Sequence, residues 1–305
     1  MKEKIERWKK ERNAVILAHY YARPEIQDIA DYIGDSLALA QIAAGLDAPV
    51  IVMCGVYFMG ETAKILCPDK TVLIPDIEAG CSLADSCPAA DFEAFIKEHP
   101  NHTVISYVNT SAEVKALSDV LVTSSNARKI VDSFPKDEKI IFGPDRNLGN
   151  YINSITGREM VLWNGACHVH EEFSAEKLAA LKAAHPQAKV LAHPECRKPV
   201  LLLADVVGST AALLKAATEA PDGSEFIVAT ESGILHEMRK LNPTKTFIPA
   251  QPTDSTCGCN DCSFMKLNTL EKLAECLEKM SPAVEVDPEV AAKARKPIER
   301  MLSLS

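Results

Sequence analysis

The sequence predicts an α/β protein built from three similar αβα three-layer domains, related by pseudo-threefold symmetry, with small parallel sheets around a central cavity. Short apolar runs of strand length alternate with helical patterns along the chain, which is typical of βαβ units and a parallel sheet. The same order of strand, helix and polar cluster then recurs in blocks of about 85 to 95 residues. Three repeats of one α/β unit explain both observations.

Equivalent polar residues give the offset of the repeat. His19, Tyr107 and His193 are 88 and 86 residues apart along the chain. A serine series shows nearly the same spacing, since Ser36, Ser124 and Ser209 are 88 and 85 residues apart. We therefore expect domains at 12–95, 96–183 and 184–268, with terminal helical segments at 1–11 and 269–305.

The elements follow the same order in each repeat. A first strand ends in a polar cluster at 14–21, 103–110 and 188–196, and a turn leads into a helical pattern from Ile33, Val122 and Val207. A second strand is predicted at 49–55, 138–145 and 224–231, followed by a helical stretch and a third short strand. Ligands bind beyond the carboxyl ends of parallel strands, so the polar clusters should face one central cavity. The chain after Asn268 should be helical, with 288–302 packing outside.

Composition and charge limit the class of protein. The chain has 305 residues and a net charge of −9, which argues against nucleic acid or an anionic membrane as a partner. No apolar run approaches the length needed to span a bilayer. The first 13 residues alternate in charge and have no apolar core, so they do not read as a secretory signal, and we expect a cytoplasmic protein.

The ten cysteines indicate metal, cluster or redox chemistry if the protein is in a reducing compartment. One cysteine, or cysteine group, follows the last strand of each repeat: Cys81, Cys167 and the Cys257, Cys259, Cys262 group. Three thiolates from three domains would hold a cubane cluster and leave one iron open as a Lewis acid.

Other interpretations of the cysteines stay open from spacing alone. Buried structural thiols are the simpler interpretation for four of them: Cys54, Cys67, Cys196 and Cys276. Cys87 lies six residues after Cys81 and is an equally ambiguous candidate. The 257–262 group could instead form a zinc or redox-disulfide site, although the segment offers no fourth zinc ligand.

Polar residues at the strand ends and helix starts are the candidates for substrate binding. Four hydroxyl residues lie at predicted helix N-termini, which favour phosphate or carboxylate, although plain capping explains them equally well: Ser36, Ser124, Ser209 and Thr210. Five strand-end residues should line the cavity: His19, Tyr21, Tyr107, Asn109 and His193.

Glu195 is the best candidate for general acid–base catalysis, with Tyr21 and His19 as further catalytic candidates. Residues two apart in a strand point to the same side, so we expect His193 and Glu195 to face the cavity together. His170, three residues after Cys167, would contact either the cluster site or the substrate.

The chain resembles the quinolinate synthase family along nearly its whole length. The matching stretches are PEIQDIADYIGDSLALA, FMGETAKIL, PDIEAGCSLAD, SYVNTSAEVKALSD, FGPDRNLGNY, NGACHVHEEF, HPEC, ATESGILHEM and CxxMKLNTLEKL. The resemblance implies a 4Fe-4S cluster with one open iron, held by Cys81, Cys167 and Cys262. Cys257 and Cys259 are present in only part of the family, and they leave a regulatory disulfide with Cys262 as an open alternative.

The resemblance also implies the reaction. Members of the family condense iminoaspartate (iminosuccinate) with dihydroxyacetone phosphate and release phosphate and two waters, which yields quinolinate for NAD biosynthesis. It places Ser36, Ser124, Ser209 and Thr210 at substrate-binding positions. Functional coupling to L-aspartate oxidase is a further expectation.

Three alternatives compete with this interpretation. Gly34-Asp35-Ser36-Leu37 matches the start of GDSL-type esterases, but no aspartate precedes a histidine by three residues as their D-x-x-H requires. A non-catalytic redox sensor with zinc at 257–262 is the second alternative. Another cluster-dependent dehydratase on the same architecture is the third.

Overall fold

The computed structural model describes residues 1–254 and 260–305. Its strands form three four-stranded sheets, and every strand pair within them is parallel. The predicted α/β fold class with small parallel sheets is therefore confirmed. We call the three sheets with their helices the first, second and third unit.

The first unit has the strand order β2-β1-β3-β4. Its strands are β1 (Ala14–His19), β2 (Tyr32–Gly34), β3 (Val50–Cys54) and β4 (Thr71–Leu73). Its helices are α1 (Lys2–Arg12), α2 (Pro24–Gln27), α3 (Ser36–Gly45), α4 (Tyr57–Leu66), α5 (Ser82–Asp85) and α6 (Ala89–Glu98).

The second unit repeats this order as β6-β5-β7-β8. Its strands are β5 (Thr103–Tyr107), β6 (Val120–Val122), β7 (Ile140–Gly143) and β8 (Val161–Leu162). Its helices are α7 (Ala112–Ala116), α8 (Ala127–Asp132), α9 (Arg146–Thr156), α10 (His168–Glu171) and α11 (Ala175–Ala184).

The third unit has the order β10-β9-β11-β12. Its strands are β9 (Lys189–Ala192), β10 (Val206–Val207), β11 (Glu225–Ala229) and β12 (Thr246–Pro249). Its helices are α12 (Lys198–Leu201), α13 (Thr210–Glu219) and α14 (Ile234–Leu241). A 3-10 turn at Met265–Leu267 precedes the C-terminal helices α15 (Leu270–Lys279) and α16 (Pro288–Leu304).

Each sheet has at one edge a short strand that the sequence pattern did not predict. We expected a turn and a helix from Ile33, Val122 and Val207, whereas these residues lie in β2, β6 and β10. Each edge strand spans only two or three residues and pairs with the first strand of its unit. Such short segments carry no hydrophobic period, so the pattern alone could not indicate them.

An aspartate before each edge strand repeats the same pair of hydrogen bonds. The side chains of Asp31, Asp119 and Asp205 each accept the backbone N–H of the first strand at 2.8 Å, from Ile16, Val104 and Val190 respectively. The backbone N–H of each aspartate donates to the carbonyl of that same residue at 2.9 Å. These aspartates are 88 and 86 residues apart, so they carry the repeat that the histidines and serines indicated.

Asp119→Ala is expected to lower the free energy of unfolding by about 1–2 kcal/mol, because the buried Val104 N–H loses its charged acceptor. Chemical denaturation of the purified variant measures this loss. Asp119→Asn keeps one oxygen that can accept the Val104 N–H, so its free energy of unfolding should stay close to that of the unaltered chain. Equal losses in both variants would contradict this role.

One apolar cluster connects all three units. It includes Leu17 of β1, Ile105 of β5 and Leu191 of β9, together with Met301 of α16. Helix α16 extends past the predicted end at 302, and its buried face joins the central core rather than packing only outside. The shared core fixes the relative placement of the strand ends where the candidate site lies.

Among residues 1–254 and 260–305, no helix combines the length and the apolar character that crossing a bilayer requires.

Candidate functional site

The carboxyl ends of strands from all three units open on one central cavity. It encloses about 660 Å³ of space free of protein atoms, part of it open to solvent. Nine of the predicted substrate-contacting residues line it. They are His19, Tyr21 and Ser36 from the first unit, Tyr107, Asn109 and Ser124 from the second, and His193, Glu195 and Thr210 from the third.

Cys81, Cys167 and Cys262 line the same cavity. Each cysteine stands just before a helical turn: Cys81 before α5, Cys167 before α10 and Cys262 before the 3-10 turn. The backbone N–H groups of these turns donate toward the thiols, and they lower the pKa of each thiol against the larger effect of burial.

Burial raises the pKa of the three thiols. The pKa of Cys81 is raised to about 12, with Cys262 adding to the rise, and that of Cys167 lies well above its usual range, with Glu195 and then Cys81 adding to it. Burial also raises the pKa of Cys262. A bound cation would favour the thiolate form of such buried cysteines.

The donor set fits a cluster held by three cysteines. Thiolates are the usual protein ligands of iron–sulfur clusters, and N–H groups aimed at the sulfurs tune such clusters. One thiol comes from each unit, and the polar residues predicted to contact substrate share the cavity with them. Among the described residues, Cys81, Cys167 and Cys262 are therefore the ones that would hold the group.

Glu195 lines the cavity and is only 3% exposed. Tyr107 donates its hydroxyl to Glu195 Oε1 at 2.6 Å, and His170 Nδ1 lies 3.1 Å from Oε2. Burial by itself would raise the pKa of Glu195, but His193, His170 and the Tyr107 hydroxyl lower it. The contacts of Glu195 with the Tyr107 hydroxyl and with His170 favour its carboxylate form.

His19 and His193 are neutral at neutral pH because burial is the largest effect on the pKa of each ring. Burial lowers the pKa of His19 to about 4 and that of His193 to about 3. His19 Nδ1 accepts the backbone N–H of Tyr21 at 3.1 Å, and His193 Nε2 lies 3.2 Å from Ser124 Oγ. Both rings are therefore oriented by neighbours inside the cavity.

His193 and Glu195 reach the cavity by a different route from the one predicted. Strand β9 ends at Ala192, so the two residues lie beyond the strand and the alternation argument was wrong for them. The backbone N–H of Glu195 instead points to His193 Nδ1 at 3.4 Å, which closes a tight turn. Both side chains still line the cavity because the turn, not the pleat, directs them.

Tyr21 is connected to His170 through a threonine that the sequence analysis missed. The Tyr21 hydroxyl is 2.8 Å from Thr210 Oγ1 and 2.7 Å from Thr230 Oγ1, and Thr230 Oγ1 is 2.9 Å from His170 Nε2. Burial raises the pKa of Tyr21 well above its usual range, so it stays protonated. Thr230 follows β11 as His193 follows β9, and this strand-end position was the available sequence signal.

His170 also bridges the cysteines and the acid–base residues. Its Nδ1 lies 3.3 Å from Cys167 Sγ and 3.1 Å from Glu195 Oε2. The ligand atoms of Cys167, His170 and Glu195 all lie within 4.8 Å of one another, close enough to hold a single metal ion. His170, which we expect to contact either the cluster site or the substrate, lies against both a candidate cysteine ligand and the candidate acid–base residue.

The four predicted anion-binding hydroxyls occupy different positions. Ser209 caps α13 by accepting the Ala212 N–H at 3.2 Å, and Thr210 is the first residue of that helix. Ser36 begins α3, whose cap is Asp35. Ser124 precedes the Asn126 cap of α8, so it is not at the helix N-terminus as expected.

The remaining cysteines divide into two groups. Five are buried free thiols away from the cavity lining: Cys54, Cys67, Cys87, Cys196 and Cys276. This burial is what the structural interpretation of four of them expects. Cys257 and Cys259, and any disulfide they form with Cys262, lie outside the described residues.

Comparisons with known proteins identify the family to which the chain belongs. The family model described as quinolinate synthetase A protein matches residues 3–303. The chain is 58% identical over 301 residues to the quinolinate synthase of Thermosynechococcus vestitus and 59% identical over 301 residues to that of Synechocystis sp., covering 99% of this chain and 94% of each relative. The quinolinate synthase of Chloroherpeton thalassium is 58% identical over 303 residues, with the same coverage. The chain therefore belongs to the quinolinate synthetase A family.

Proposed function

We propose that this chain is a quinolinate synthase that condenses iminoaspartate with dihydroxyacetone phosphate and releases phosphate and two waters. Cys81, Cys167 and Cys262 would hold a 4Fe-4S cluster. When bound, the cluster would supply an open iron that acts as a Lewis acid on substrate oxygens. The observation that carries the proposal is that one cysteine from each unit lines the same cavity as Glu195.

The residues of the chain provide the other functions that this reaction needs. The Glu195 carboxylate, oriented by Tyr107 and His170, can take a proton from substrate carbon or nitrogen and return it to a leaving hydroxyl. Tyr21, within its chain of Thr210 and Thr230, can donate a hydrogen bond or pass a proton.

The substrates are anions, and the cavity offers them hydrogen-bond donors. Ser36 and Thr210 stand at the first residues of α3 and α13, where free N–H groups favour carboxylate or phosphate. His19, Asn109 and Ser124 add side-chain donors on the facing walls, and His193 orients Ser124. Ser209 would contribute indirectly, because it caps the first turn of α13 whose N–H groups would meet the anion.

A spectrum of anaerobically prepared protein, with iron, zinc and acid-labile sulfide contents, tests the cofactor. We expect a brown chromophore with about four irons and four sulfides per chain. Zinc without sulfide would contradict the proposal and would favour a single metal ion at Cys167, His170 and Glu195, or the zinc site predicted at 257–262.

An assay of the same sample tests the reaction. Quinolinate should form from dihydroxyacetone phosphate and an iminoaspartate source, for which L-aspartate oxidase is the expected coupling partner. Iron and sulfide without quinolinate would favour another cluster-dependent dehydratase. The cytoplasmic location stays a prediction.

A further inference from the structure

The loops that carry Cys81, Cys167 and Cys262 are each joined to the rest of their unit by an equivalent backbone hydrogen bond. In the first unit the backbone N–H of Tyr57 donates to the Ala79 carbonyl at 2.7 Å. In the second unit Arg146 N–H bonds the Gly165 carbonyl at 2.8 Å, and in the third Ser232 N–H bonds the Asn260 carbonyl at 3.3 Å. The acceptor stands two residues before the cysteine every time, so the three attachments are structurally equivalent.

The residue before each donor differs between the units. In the second unit it is Asp145, whose Oδ2 accepts the backbone N–H of Cys167 at 2.9 Å. In the third it is Glu231, whose Oε1 accepts the backbone N–H of Cys262 at 3.0 Å. In the first it is Val56, which has no acceptor in its side chain. Asp145 is fully buried and Glu231 is 1% exposed.

Both carboxylates have every oxygen engaged on the protein side. Asp145 Oδ1 accepts the N–H groups of Asn147 and Leu148 at the start of α9, at 2.6 and 2.9 Å. Glu231 Oε2 accepts the Gly233 N–H at 2.7 Å, and its Oε1 also lies 2.8 Å from Lys266 Nζ. Each carboxylate therefore joins the backbone of its cysteine to the segment that follows a central strand of the same unit, and Asp145 does so in addition to capping α9.

We propose that Asp145 and Glu231 are positioning residues that fix Cys167 and Cys262 for the cluster, whereas the first unit places Cys81 without a carboxylate. The inference rests on the proposed cluster site, and it assigns a role to two buried carboxylates that bond the backbone of a cysteine, of which Glu231 also lines the cavity. Residues that orient metal ligands in this way commonly change metal affinity by about 10- to 100-fold when they are altered.

Asp145→Asn and Glu231→Gln test the proposal with little change in shape. An amide has one acceptor oxygen, so it cannot serve the N–H donors that now meet both carboxylate oxygens, and it turns an NH2 group toward one of them. The matched control is Asp119→Asn. Asp119 accepts the Val104 N–H through one oxygen, away from the cysteines, and an amide can keep that bond.

The measurements are iron and sulfide per chain after anaerobic reconstitution, the rate of iron loss to a chelator, and the electron paramagnetic resonance spectrum of the reduced cluster. We expect iron loss about 10-fold faster in Asp145→Asn and in Glu231→Gln, with an altered spectrum. Asp119→Asn should match the unaltered chain. Wild-type rates and spectra in both variants would overturn the inference.

Folding and function are separated by two further comparisons. If Asp145→Asn does not fold, Asp145→Ser keeps a capping oxygen for α9 but is too short to reach Cys167, and the same faster loss of iron is expected. Wild-type behaviour of that variant would overturn the role of Asp145. An unaltered chain that binds no cluster would instead contradict the proposed function, and equal losses in the control would show a general effect of carboxylate removal and overturn the inference.

Discussion

Glu195→Gln is expected to lower kcat by about 10²- to 10⁴-fold while the iron and sulfide contents stay unchanged. Glu195 lines the cavity, with the Tyr107 hydroxyl at 2.6 Å and His170 Nδ1 at 3.1 Å. The condensation requires protons to leave one reacting atom and return to another. An amide of the same shape keeps one acceptor but cannot carry a proton, so binding should survive better than turnover.

The control for this variant is Glu225→Gln. Glu225 begins β11 and bonds His185 Nδ1 at 2.8 Å, so it forms a glutamate–histidine pair like that of Glu195 and His170, but at the amino end of the strand. Steady-state kinetics and iron analysis on both variants separate catalysis from assembly. A fully active Glu195→Gln enzyme would remove Glu195 from the mechanism, and loss of the cluster in this variant would show a ligand role instead.

The repeat could be predicted from the sequence because its strands are long enough to show a pattern. The two central strands of each sheet are four to six residues long and mostly apolar: β1 and β3, β5 and β7, and β9 and β11. The edge strands β2, β6 and β10 were missed, since two or three residues have no period. The aspartates at 31, 119 and 205 had the right spacing, but only the structure shows their shared bonds.

The site could be predicted only where its residues end predicted strands or carry distinctive chemistry. His19 and Tyr107 close β1 and β5, so their place at the cavity followed from the strand pattern. Asp145 and Glu231 were missed because a single buried carboxylate after a strand is indistinguishable in sequence from a helix cap. Their role depends on the backbone N–H groups of Cys167 and Cys262, which are distant in the sequence and reach the carboxylates only when the loops are packed.

Loss of any one cysteine ligand is the second large effect that we expect. Cys81→Ala, Cys167→Ala and Cys262→Ala should each abolish the brown chromophore and leave iron and sulfide at background after anaerobic reconstitution. A cubane held at three corners has no protein ligand to spare, since the cavity offers one such thiol from each unit. Activity should fall to background in parallel.

Cys87→Ala is the matched control near Cys81. Cys87 is six residues away in the sequence, is 1% exposed and packs with Phe92 in a separate apolar cluster rather than in the cavity lining. We expect it to keep the chromophore with a modest loss of stability. A normal cluster in Cys81→Ala together with loss in Cys87→Ala would exchange the two assignments.

Cys257 and Cys259 are alternative candidates for the third cluster ligand, and the geometry of the loop favours Cys262 as that ligand. Its backbone N–H is bonded to Glu231, and its carbonyl accepts the Lys266 N–H at 3.1 Å, so its thiol faces the cavity from a loop held on both sides. Cys257→Ala and Cys259→Ala are therefore expected to keep full iron and sulfide. Retention in Cys262→Ala with loss in either of the other two would move the third ligand along the loop, whereas retention in all three would contradict a cluster that draws one thiolate from each unit.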